Sequence, residues 1–375
     1  MRLYPTDDIL YLTMRLLKAF DKRQTDLKYF APNKVKNILV VSSTAIGDTL
    51  LSTPAIRAVR EQYPEAKIIG HFNIKNMELF ENNSHIDGII PYYGGYKRFF
   101  RTVREFRKYK FDLVLIFHAN EPQATPMAYL SGARFIVKIP IPKQYGFLLS
   151  NTNNIFENPW EHHAIDVRLM TAFLAGCREN NKNLVLILDK DEVDFIDNYL
   201  KDLGIEKDNI VIGFQMGAAK QYKAWPKKHF IELGKKLLLY NPNIRIILVG
   251  SRNEKDLCDS VAKVIGRGVL SVAGKITLKQ LSALIKKMQI LVTNDTGPMH
   301  IAIALNIRTV SLFCPTNYWG VGPIQDMHLH KIIAKDKPCN PCVTKKCKDP
   351  FCMELIRVDE VFESIMQLLN ENSTL

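Results

Sequence analysis

The sequence lacks any apolar run long enough to cross a membrane. Its longest apolar stretches, such as residues 38–41 and 246–249, have the length of a β-strand. A membrane-spanning helix needs roughly 20 apolar residues. The N-terminus also lacks the continuous apolar core of a signal peptide. We therefore expect a cytoplasmic protein without membrane-spanning helices.

Cysteine is scarce, and it is unevenly placed. The chain has seven cysteines, an odd number. Four of them lie in one short segment: Cys339, Cys342, Cys347 and Cys352. This pattern is unlike a secreted disulfide framework. The four thiolates can hold a structural zinc or iron, but their spacing is not that of paired C-x2-C knuckles, and reduced thiols or a labile disulfide are the alternative. We assign no metal site here, and either interpretation gives the segment a structural role.

Acidic residues are outnumbered. The chain of 375 residues has 51 Lys and Arg against 38 Asp and Glu, which gives a formal net charge of +13. Such an excess favours a polyanionic partner, and nucleic acid, an anionic membrane surface or a phosphorylated small molecule would each satisfy it. A nucleic-acid-binding protein is supported by the charge alone, because the sequence has no motif for DNA or RNA binding. We therefore expect no nucleic acid partner.

Apolar runs of strand length alternate with segments of helical periodicity along nearly the whole chain. The first series begins with a strand at 37–41 and a helix over 49–63, and a second series begins with a strand at 209–214. Such alternation is typical of βα units and parallel sheets. The sequence thus predicts an α/β protein with two Rossmann-like domains, residues 1–180 and 181–375, with the boundary placed in the stretch 180–209.

The first 35 residues form an additional segment before this pattern. Within it, residues 7–22 have apolar side chains interleaved with Arg15, Lys18 and Lys22, which predicts an amphipathic helix. Two interpretations remain open. The helix lies on an anionic membrane, or it packs on its own domain, as most amphipathic helices do.

The loop after the first strand carries a candidate base. The dinucleotide fingerprint G-x-G-x-x-G is absent there, which argues against an oxidoreductase. Rossmann-like domains bind ligands where loops follow the carboxyl ends of the strands. In this loop Gly47 frees the turn and Asp48 stands where a helix begins. Asp48 is either an ordinary N-cap or a general base directed toward a ligand.

The loop 293–300 of the second domain is suited to a phosphate. Asp295 or Thr296 can cap the following helix, Gly297 leaves room for close approach, and Pro298 suits the first helical turn. Such a turn directs free N–H groups and the positive end of the helix dipole toward an anion. A well-capped helix without a ligand is the alternative, and His300 alone is more often a packing residue than a catalyst.

Two further loops of this domain add to the nucleotide hypothesis. After the strand at 209–214, Gly217 leaves the backbone uncovered, and Lys220 and Lys223 can supply positive charge to a diphosphate. Glu254 follows another strand, where it either accepts hydrogen bonds from ribose hydroxyls or stabilises the helix N-terminus. Together the three loops favour a nucleotide site more than each does alone.

These loops resemble a known family when they are taken together. The segments Ile-Leu-Val-Val-Ser-Ser-Thr-Ala-Ile-Gly-Asp48, Leu51-Ser-Thr-Pro-Ala-Ile-Arg57, Val292-Thr-Asn-Asp-Thr-Gly-Pro-Met-His300 and Cys314-Pro-Thr316 are similar to those of the ADP-heptose:lipopolysaccharide heptosyltransferases of glycosyltransferase family 9. The resemblance runs over about residues 35–368. It implies the GT-B fold, in which two Rossmann-like domains face each other across a cleft. It also implies that the last helix, 358–370, packs back on the N-terminal domain.

The resemblance also implies an activity and its residues. The family transfers heptose from ADP-L-glycero-D-manno-heptose to the Kdo or heptose of the lipopolysaccharide inner core, with inversion and without a catalytic cofactor. Asp48 matches the proposed base of the family, and Lys223 a lysine that contacts the donor phosphates. The implied donor site is completed by Gly217, Ala218, Ala219, Lys220, Glu254, Asp295, Thr296, Gly297, Pro298, Met299 and His300.

Some features depart from the family pattern. Ala218 and Ala219 stand where several lipopolysaccharide enzymes have hydroxyl residues that touch phosphate, a departure that concerns the donor site and not the fold. Some relatives glycosylate proteins and use cysteine-bound iron. A protein or other glycan acceptor, or a nucleotide-sugar-binding protein without catalysis, therefore stays as an alternative.

The implied acceptors, lipid A-Kdo or a heptosylated core, lie on the cytoplasmic face of the inner membrane of Gram-negative bacteria. We therefore expect a peripheral protein at that surface. Basic residues around the predicted helix 96–109 can attract the protein to it, unless they form only a solvated helix face. These residues are Lys97, Arg98, Arg101, Arg104, Arg107 and Lys108.

Overall fold

A computed structural model describes residues 5–141, 144–151, 158–337, 339, 347 and 351–371. The chain divides into two compact units, Met1–Val185 and Leu186–Leu375. The division falls within the stretch 180–209 in which the sequence placed the boundary. Each unit contains a parallel β-sheet with helices packed on it.

The N-terminal unit is built around a parallel sheet in the order β3-β2-β1-β4-β5. Its elements are α1 (Pro5–Ala19), β1 (Asn37–Ser42), α2 (Ile46–Leu50), α3 (Thr53–Gln62), β2 (Lys67–Asn73), β3 (Gly88–Tyr92), α4 (Phe99–Tyr109), β4 (Leu113–His118), α5 (Ala124–Leu130), β5 (Phe135–Lys138) and α6 (Ala164–Phe173). The central strand β1 is buried from Ile38 to Ser42. Because both faces of the strand are buried, its sequence is an almost unbroken run of apolar residues.

The sequence predicted one helix over 49–63, but the structure has two. The short helix α2 ends at Leu50, and α3 begins at Thr53 with Pro54 in its first turn. Proline lacks an N–H and disfavours helical backbone in the residue before it, so it starts a new helix rather than continuing one. The break places the short helix α2 directly after the β1 loop.

The C-terminal unit has a parallel sheet in the order β11-β10-β9-β6-β7-β8. Its elements are α7 (Lys190–Asp202), β6 (Ile210–Gln215), α8 (Lys227–Tyr240), β7 (Ile244–Val249), α9 (Lys255–Ile265), β8 (Val269–Ser271), α10 (Leu278–Lys286), β9 (Ile290–Asn294), α11 (Gly297–Ala304), β10 (Arg308–Phe313), α12 (Tyr318–Val321), β11 (His330–Ala334) and α13 (Val358–Asn370). The strand order reverses between β6 and β9. That reversal is where open α/β sheets bind ligands.

The last helix, α13, has the predicted bounds, and one face of it packs in the C-terminal unit. Its apolar residues Val361, Ile365 and Leu368 are fully buried in the core of the C-terminal unit. The helix contacts α8 and the strands β10 and β11 of that unit. The face that carries these residues is therefore covered within its own unit, and the expectation that the helix also packs on the N-terminal domain stays a prediction.

The N-terminal helix α1 is anchored on its own unit along one face. Met14 is buried in the core of the N-terminal unit, and Leu10 and Tyr11 pack against it. The Tyr96 hydroxyl donates a hydrogen bond to the Asp7 carboxylate. The face of α1 that carries Leu10, Tyr11 and Met14 thus packs on its own domain, as one of the two interpretations had it.

Candidate active site

Asp48 lies on α2, directly after the carboxyl end of β1. The N-cap position of α2 is Ala45, and Asp48 stands three residues further on. Its Oδ2 atom accepts a hydrogen bond from the Thr44 hydroxyl at 2.8 Å and a longer one from the Ala45 N–H at 3.4 Å. The side chain remains 28% exposed. Asp48 therefore caps the helix only in part, and its carboxylate keeps access to solvent.

Two basic side chains from distant elements surround this carboxylate. Arg168 on α6 is buried and donates from Nη2 to Asp48 Oδ1 at 3.3 Å. The same guanidinium donates from Nε to Ser52 Oγ at 2.9 Å, which fixes its orientation. His118, at the end of β4, places Nε2 3.5 Å from Asp48 Oδ1 and Nδ1 2.8 Å from Thr44 Oγ1.

The electrostatics keep Asp48 ionised. Burial raises the pKa of Asp48, whereas His118, Arg168 and the Thr44 hydrogen bond lower it. The lowering is the larger effect, so the net pKa lies below the ordinary value of 3.8 for an aspartate. Burial, together with the charge of Arg168, lowers the pKa of His118 to about 4. The His118 ring is therefore neutral at pH 7, and the cation that stabilises the carboxylate at neutral pH is Arg168.

A second pair of charged residues lies at the ends of β4 and β5. Lys138 is buried and donates from Nζ to the Ala119 carbonyl at 3.0 Å. Burial lowers the pKa of Lys138 to about 8, although the Glu121 charge opposes this. Glu121 accepts a hydrogen bond from Ser43 at 3.3 Å, and burial raises its pKa. No role for these residues was predicted from the sequence.

In the C-terminal unit, Asn294 fixes the loop that follows β6. Its Nδ2 group donates to the carbonyl oxygens of Gln215, Met216 and Gly217 at 3.3, 3.0 and 3.1 Å. Its Oδ1 atom accepts from the Trp225 N–H at 3.0 Å. One buried side chain at the end of β9 therefore positions both ends of the loop that contains Lys223.

Lys223 and Asp295 form an ion pair at the reversal of the strand order. Lys223 Nζ donates to Asp295 Oδ2 at 2.8 Å, and both side chains are partly exposed. The next residue, Thr296, is the N-cap of α11 and makes no capping hydrogen bond with its side chain. The first turn of α11, with Gly297 and Pro298, is partly exposed. A cation and a helix N-terminus thus lie in adjacent loops, as an anionic group requires.

Gly217 and Glu254 are in close contact. A Cβ atom on Gly217 would lie 1.3 Å from Glu254 Oε1, so a larger residue there requires the Glu254 side chain or the loop to move. The other carboxylate oxygen of Glu254 accepts from the Ser251 N–H at 2.6 Å. Glu254 therefore stabilises the start of the helix, which was one of its two interpretations. The Glu254 carboxylate also lies against the loop that follows β6.

The remaining predicted donor-site residues differ in exposure. Ala219 and Lys220 are exposed and Ala218 is partly exposed. Met299 and His300 are buried. Their side chains pack inside the unit, so they would reach a ligand through their backbone amides.

The cysteine cluster is only partly described. Cys339 is exposed, Cys347 is partly exposed, and Cys352 is buried against the C-terminal core. Cys342 lies outside the described residues. The described parts of the chain contain no group of three or more His, Cys, Asp or Glu side chains arranged to hold a metal ion.

A cavity of about 830 Å³ opens beside the carboxyl ends of β10 and β11. Its lining includes Thr316, the aromatic residues Tyr318 and Trp319, and Lys335 and Lys337. The segment Cys314-Pro-Thr316 is part of the resemblance to the family, and no pocket was predicted there. The aromatic pair that follows this motif would have been the signal for a pocket.

Comparisons with known proteins agree with this architecture. The model of glycosyltransferase family 9 (heptosyltransferase) matches residues 100–351, more than half of the chain. Asp48 precedes the matched range. Lipooligosaccharide heptosyltransferase 2 of Campylobacter jejuni serotype O:6 is 25% identical over 88% of this chain and 98% of its own length.

Two solved structures are similar in fold. The glycosyltransferase family 9 protein of Veillonella parvula superposes with a TM-score of 0.77 and 21% identity, over 90% of this chain and 97% of that one. The ADP-heptose lipopolysaccharide heptosyltransferase II of Escherichia coli gives 0.72 and 20%, over 90% and 99%. The predicted fold is confirmed: the chain belongs to glycosyltransferase family 9, and it is a glycosyltransferase with the GT-B fold.

Proposed function

We propose that this glycosyltransferase moves heptose from ADP-L-glycero-D-manno-heptose to a Kdo or heptose residue of the lipopolysaccharide inner core, with inversion at the anomeric carbon. The observation that carries the proposal is the ionised, partly exposed carboxylate of Asp48 at the end of β1, held by Arg168. Relatives over most of the chain are named as heptosyltransferases of lipooligosaccharide or lipopolysaccharide, which supports the choice of donor and acceptor.

Asp48 acts as the general base of this reaction. It accepts the proton of the acceptor hydroxyl while that oxygen attacks the anomeric carbon and the bond to the ADP oxygen breaks. Inversion follows from a single displacement without a covalent intermediate. Arg168 and Thr44 hold the carboxylate in place. The His118 ring beside it is neutral, so it does not form a second ion pair with the carboxylate that must accept the proton.

The C-terminal unit binds the donor. Lys223 and the backbone amides at the start of α11 supply the positive charge that the leaving diphosphate requires. In this proposal they perform the task that a divalent ion performs in other transferases. Asp295 orients Lys223 before the donor binds, and the Glu254 carboxylate beside Gly217 accepts hydrogen bonds from the ribose hydroxyls.

The acceptor determines the proposed location. Lipid A carrying Kdo is anchored in the inner membrane, so the protein works as a peripheral protein on its cytoplasmic face. The exposed basic residues at the start of α4, among them Arg101 and Arg104, favour an anionic surface. No helix in the described residues is long and apolar enough to span a membrane.

The test is transfer with defined substrates. The purified protein is incubated with ADP-heptose and either Kdo2-lipid A or a heptosylated core, and ADP release and product mass are followed. Asp48→Asn is expected to lower kcat by about 10²- to 10⁴-fold while ADP affinity is kept. Asp26→Asn, which removes an exposed carboxylate of the same unit, serves as the matched control and keeps full activity. Failure of the wild type with both acceptors, while ADP still binds, would contradict the lipopolysaccharide assignment and favour a protein or another glycan as acceptor.

A further inference from the structure

The N-terminal helix α1 is apolar on two sides. Its inner side packs on the N-terminal unit through Met14 and Tyr11, whose ring lies 5.7 Å from that of Phe147. This contact already satisfies the usual requirement of an amphipathic helix, which buries one apolar face and leaves a polar one in water. The opposite side should therefore be polar.

The opposite side carries a row of large apolar residues instead. Leu12 is 67% exposed, Leu16 61% and Phe20 77%. They follow one another at intervals of four residues, so they lie on one face of the helix and its end. With Ile9 and Leu17, which are also exposed, they form what we call the α1 stripe: Ile9, Leu12, Leu16, Leu17 and Phe20. A contiguous apolar surface of this kind marks an interaction site.

The charges near the α1 stripe are mainly basic. Arg15 and Lys22 are exposed on and just after the helix, whereas Asp8 is the exposed acidic residue at its start. The hydrogen bond from Tyr96 to Asp7 ties the start of α1 to the segment that leads into α4. That segment exposes Lys97, Arg98, Phe100, Arg101 and Arg104, with Phe100 82% exposed.

We propose that the α1 stripe is a membrane-docking surface that inserts between the headgroups of an anionic phospholipid bilayer. Apolar side chains flanked by Lys and Arg are the pattern of helices that lie in the plane of the membrane interface. The 15 residues of α1 are too few to span a bilayer, so the helix stays parallel to the surface while its inner side remains packed on the protein.

The charge pattern selects a bilayer over a second copy of the chain. Two copies packed through their α1 stripes would bring two basic surfaces together, and like charges destabilise such an interface. An anionic surface neutralises the same charges. The inference deepens the proposed function, on which it rests for a membrane-anchored acceptor, but lipid binding itself requires neither donor nor acceptor.

The experiment measures co-sedimentation of the full-length protein with vesicles. One set contains phosphatidylcholine alone, and another contains about 30% phosphatidylglycerol as the anionic lipid. The double variant Leu12→Ser/Leu16→Ser is compared with Leu239→Ser, which makes the same change at a leucine that is 88% exposed on α8. Thermal unfolding checks that all variants are folded, and sedimentation velocity gives their oligomeric state.

The wild type and Leu239→Ser are expected to bind the anionic vesicles. The double variant should bind on the order of tenfold more weakly, because two inserted leucines are lost. Part of the wild-type binding should persist at about 1 M salt, where charges are screened within about 3 Å. Equal binding by the double variant, or no binding by the wild type, would overturn the inference. The inference would also be overturned if the wild type were a dimer and the double variant a monomer that binds vesicles equally well. The α1 stripe would then be the contact surface for a second copy of the chain. Vesicle binding without heptose transfer would count against the proposed function alone.

Discussion

Arg168 donates a hydrogen bond to Asp48 across 120 residues of sequence and over 3.3 Å. The guanidinium is buried, and burial lowers its pKa to about 10, so it stays cationic at neutral pH. Because His118 is neutral there, Arg168 is the cation that lowers the pKa of the proposed base at neutral pH, together with the hydrogen bonds from Thr44 and Ala45. A variant of Arg168 therefore tests how the charge beside Asp48 affects the base without changing the carboxylate itself.

The first prediction is that Arg168→Gln shifts the acid limb of kcat/KM to higher pH. Without the cation, one of the interactions that oppose the effect of burial on Asp48 is lost, so its pKa rises. In the wild type the pKa of Asp48 is lowered from its usual range, so its protonation does not limit activity near neutral pH. Arg168→Lys retains a positive charge and should shift the limb less. The pH profile of all three proteins checks this, and coincident acid limbs in the wild type and Arg168→Gln would show that Arg168 does not control the base.

The second prediction concerns Lys223. Lys223→Ala should weaken ADP binding by about tenfold or more, the typical cost of losing a charge-assisted hydrogen bond to phosphate. The matched control is Lys227→Ala, which removes an exposed lysine at the start of α8 and should leave the affinity unchanged. Titration calorimetry with ADP and with AMP separates the contribution of the β-phosphate. Equal losses in the two variants would mean that only the overall charge matters.

The fold was accessible from sequence because buried parallel strands are apolar runs. The strands β1 and β6 were predicted within one or two residues for this reason. The break between α2 and α3 was missed, although Pro54 was its signal. The burial of α13 in the C-terminal core was not predicted, since the sequence of an apolar helix face does not specify which core it covers.

The sequence predicted only those residues of the candidate site whose neighbours along the chain mark them. Asp48 and Lys223 stand in loops that follow strands, where ligands are expected. His118 also ends a strand, but it was not among the residues predicted for the site. Arg168 has no local signal at all, because its role arises from a contact between α6 and the β1 loop. Asn294 was part of a quoted motif, yet its three hydrogen bonds to the β6 loop depend on the pairing of β6 with β9.

The third prediction tests the close approach of Gly217 to Glu254. Gly217→Ala would place Cβ in collision with the Glu254 carboxylate, so the loop or the side chain must move. We expect destabilisation of about 1–3 kcal/mol together with loss of ADP affinity. The double variant Gly217→Ala/Glu254→Ala should recover stability, because the clash is gone, but not the full affinity. The control is Gly320→Ala, where a Cβ would meet nothing within 4 Å. Chemical denaturation and ADP titration of the four proteins check the prediction, and unchanged stability of Gly217→Ala would contradict the close packing.

The fourth prediction is a loss of stability as the pH falls from 6.5 to 4, to which the buried His71 contributes. Its Nδ1 donates to the Ile90 carbonyl at 2.8 Å, and its Nε2 has no hydrogen-bond partner among the described residues, so the neutral ring fits and the protonated one does not. Burial lowers its pKa to about 4. The unfolded chain therefore binds more protons than the folded one between pH 6.5 and pH 4, and the free energy of unfolding decreases over that interval. His71→Gln should flatten this dependence by on the order of 1–3 kcal/mol, whereas the exposed His328→Gln should leave it unchanged. Urea unfolding at a series of pH values measures the slope, and a slope in His71→Gln equal to that of the wild type would show that His71 titrates alike in the folded and unfolded chain.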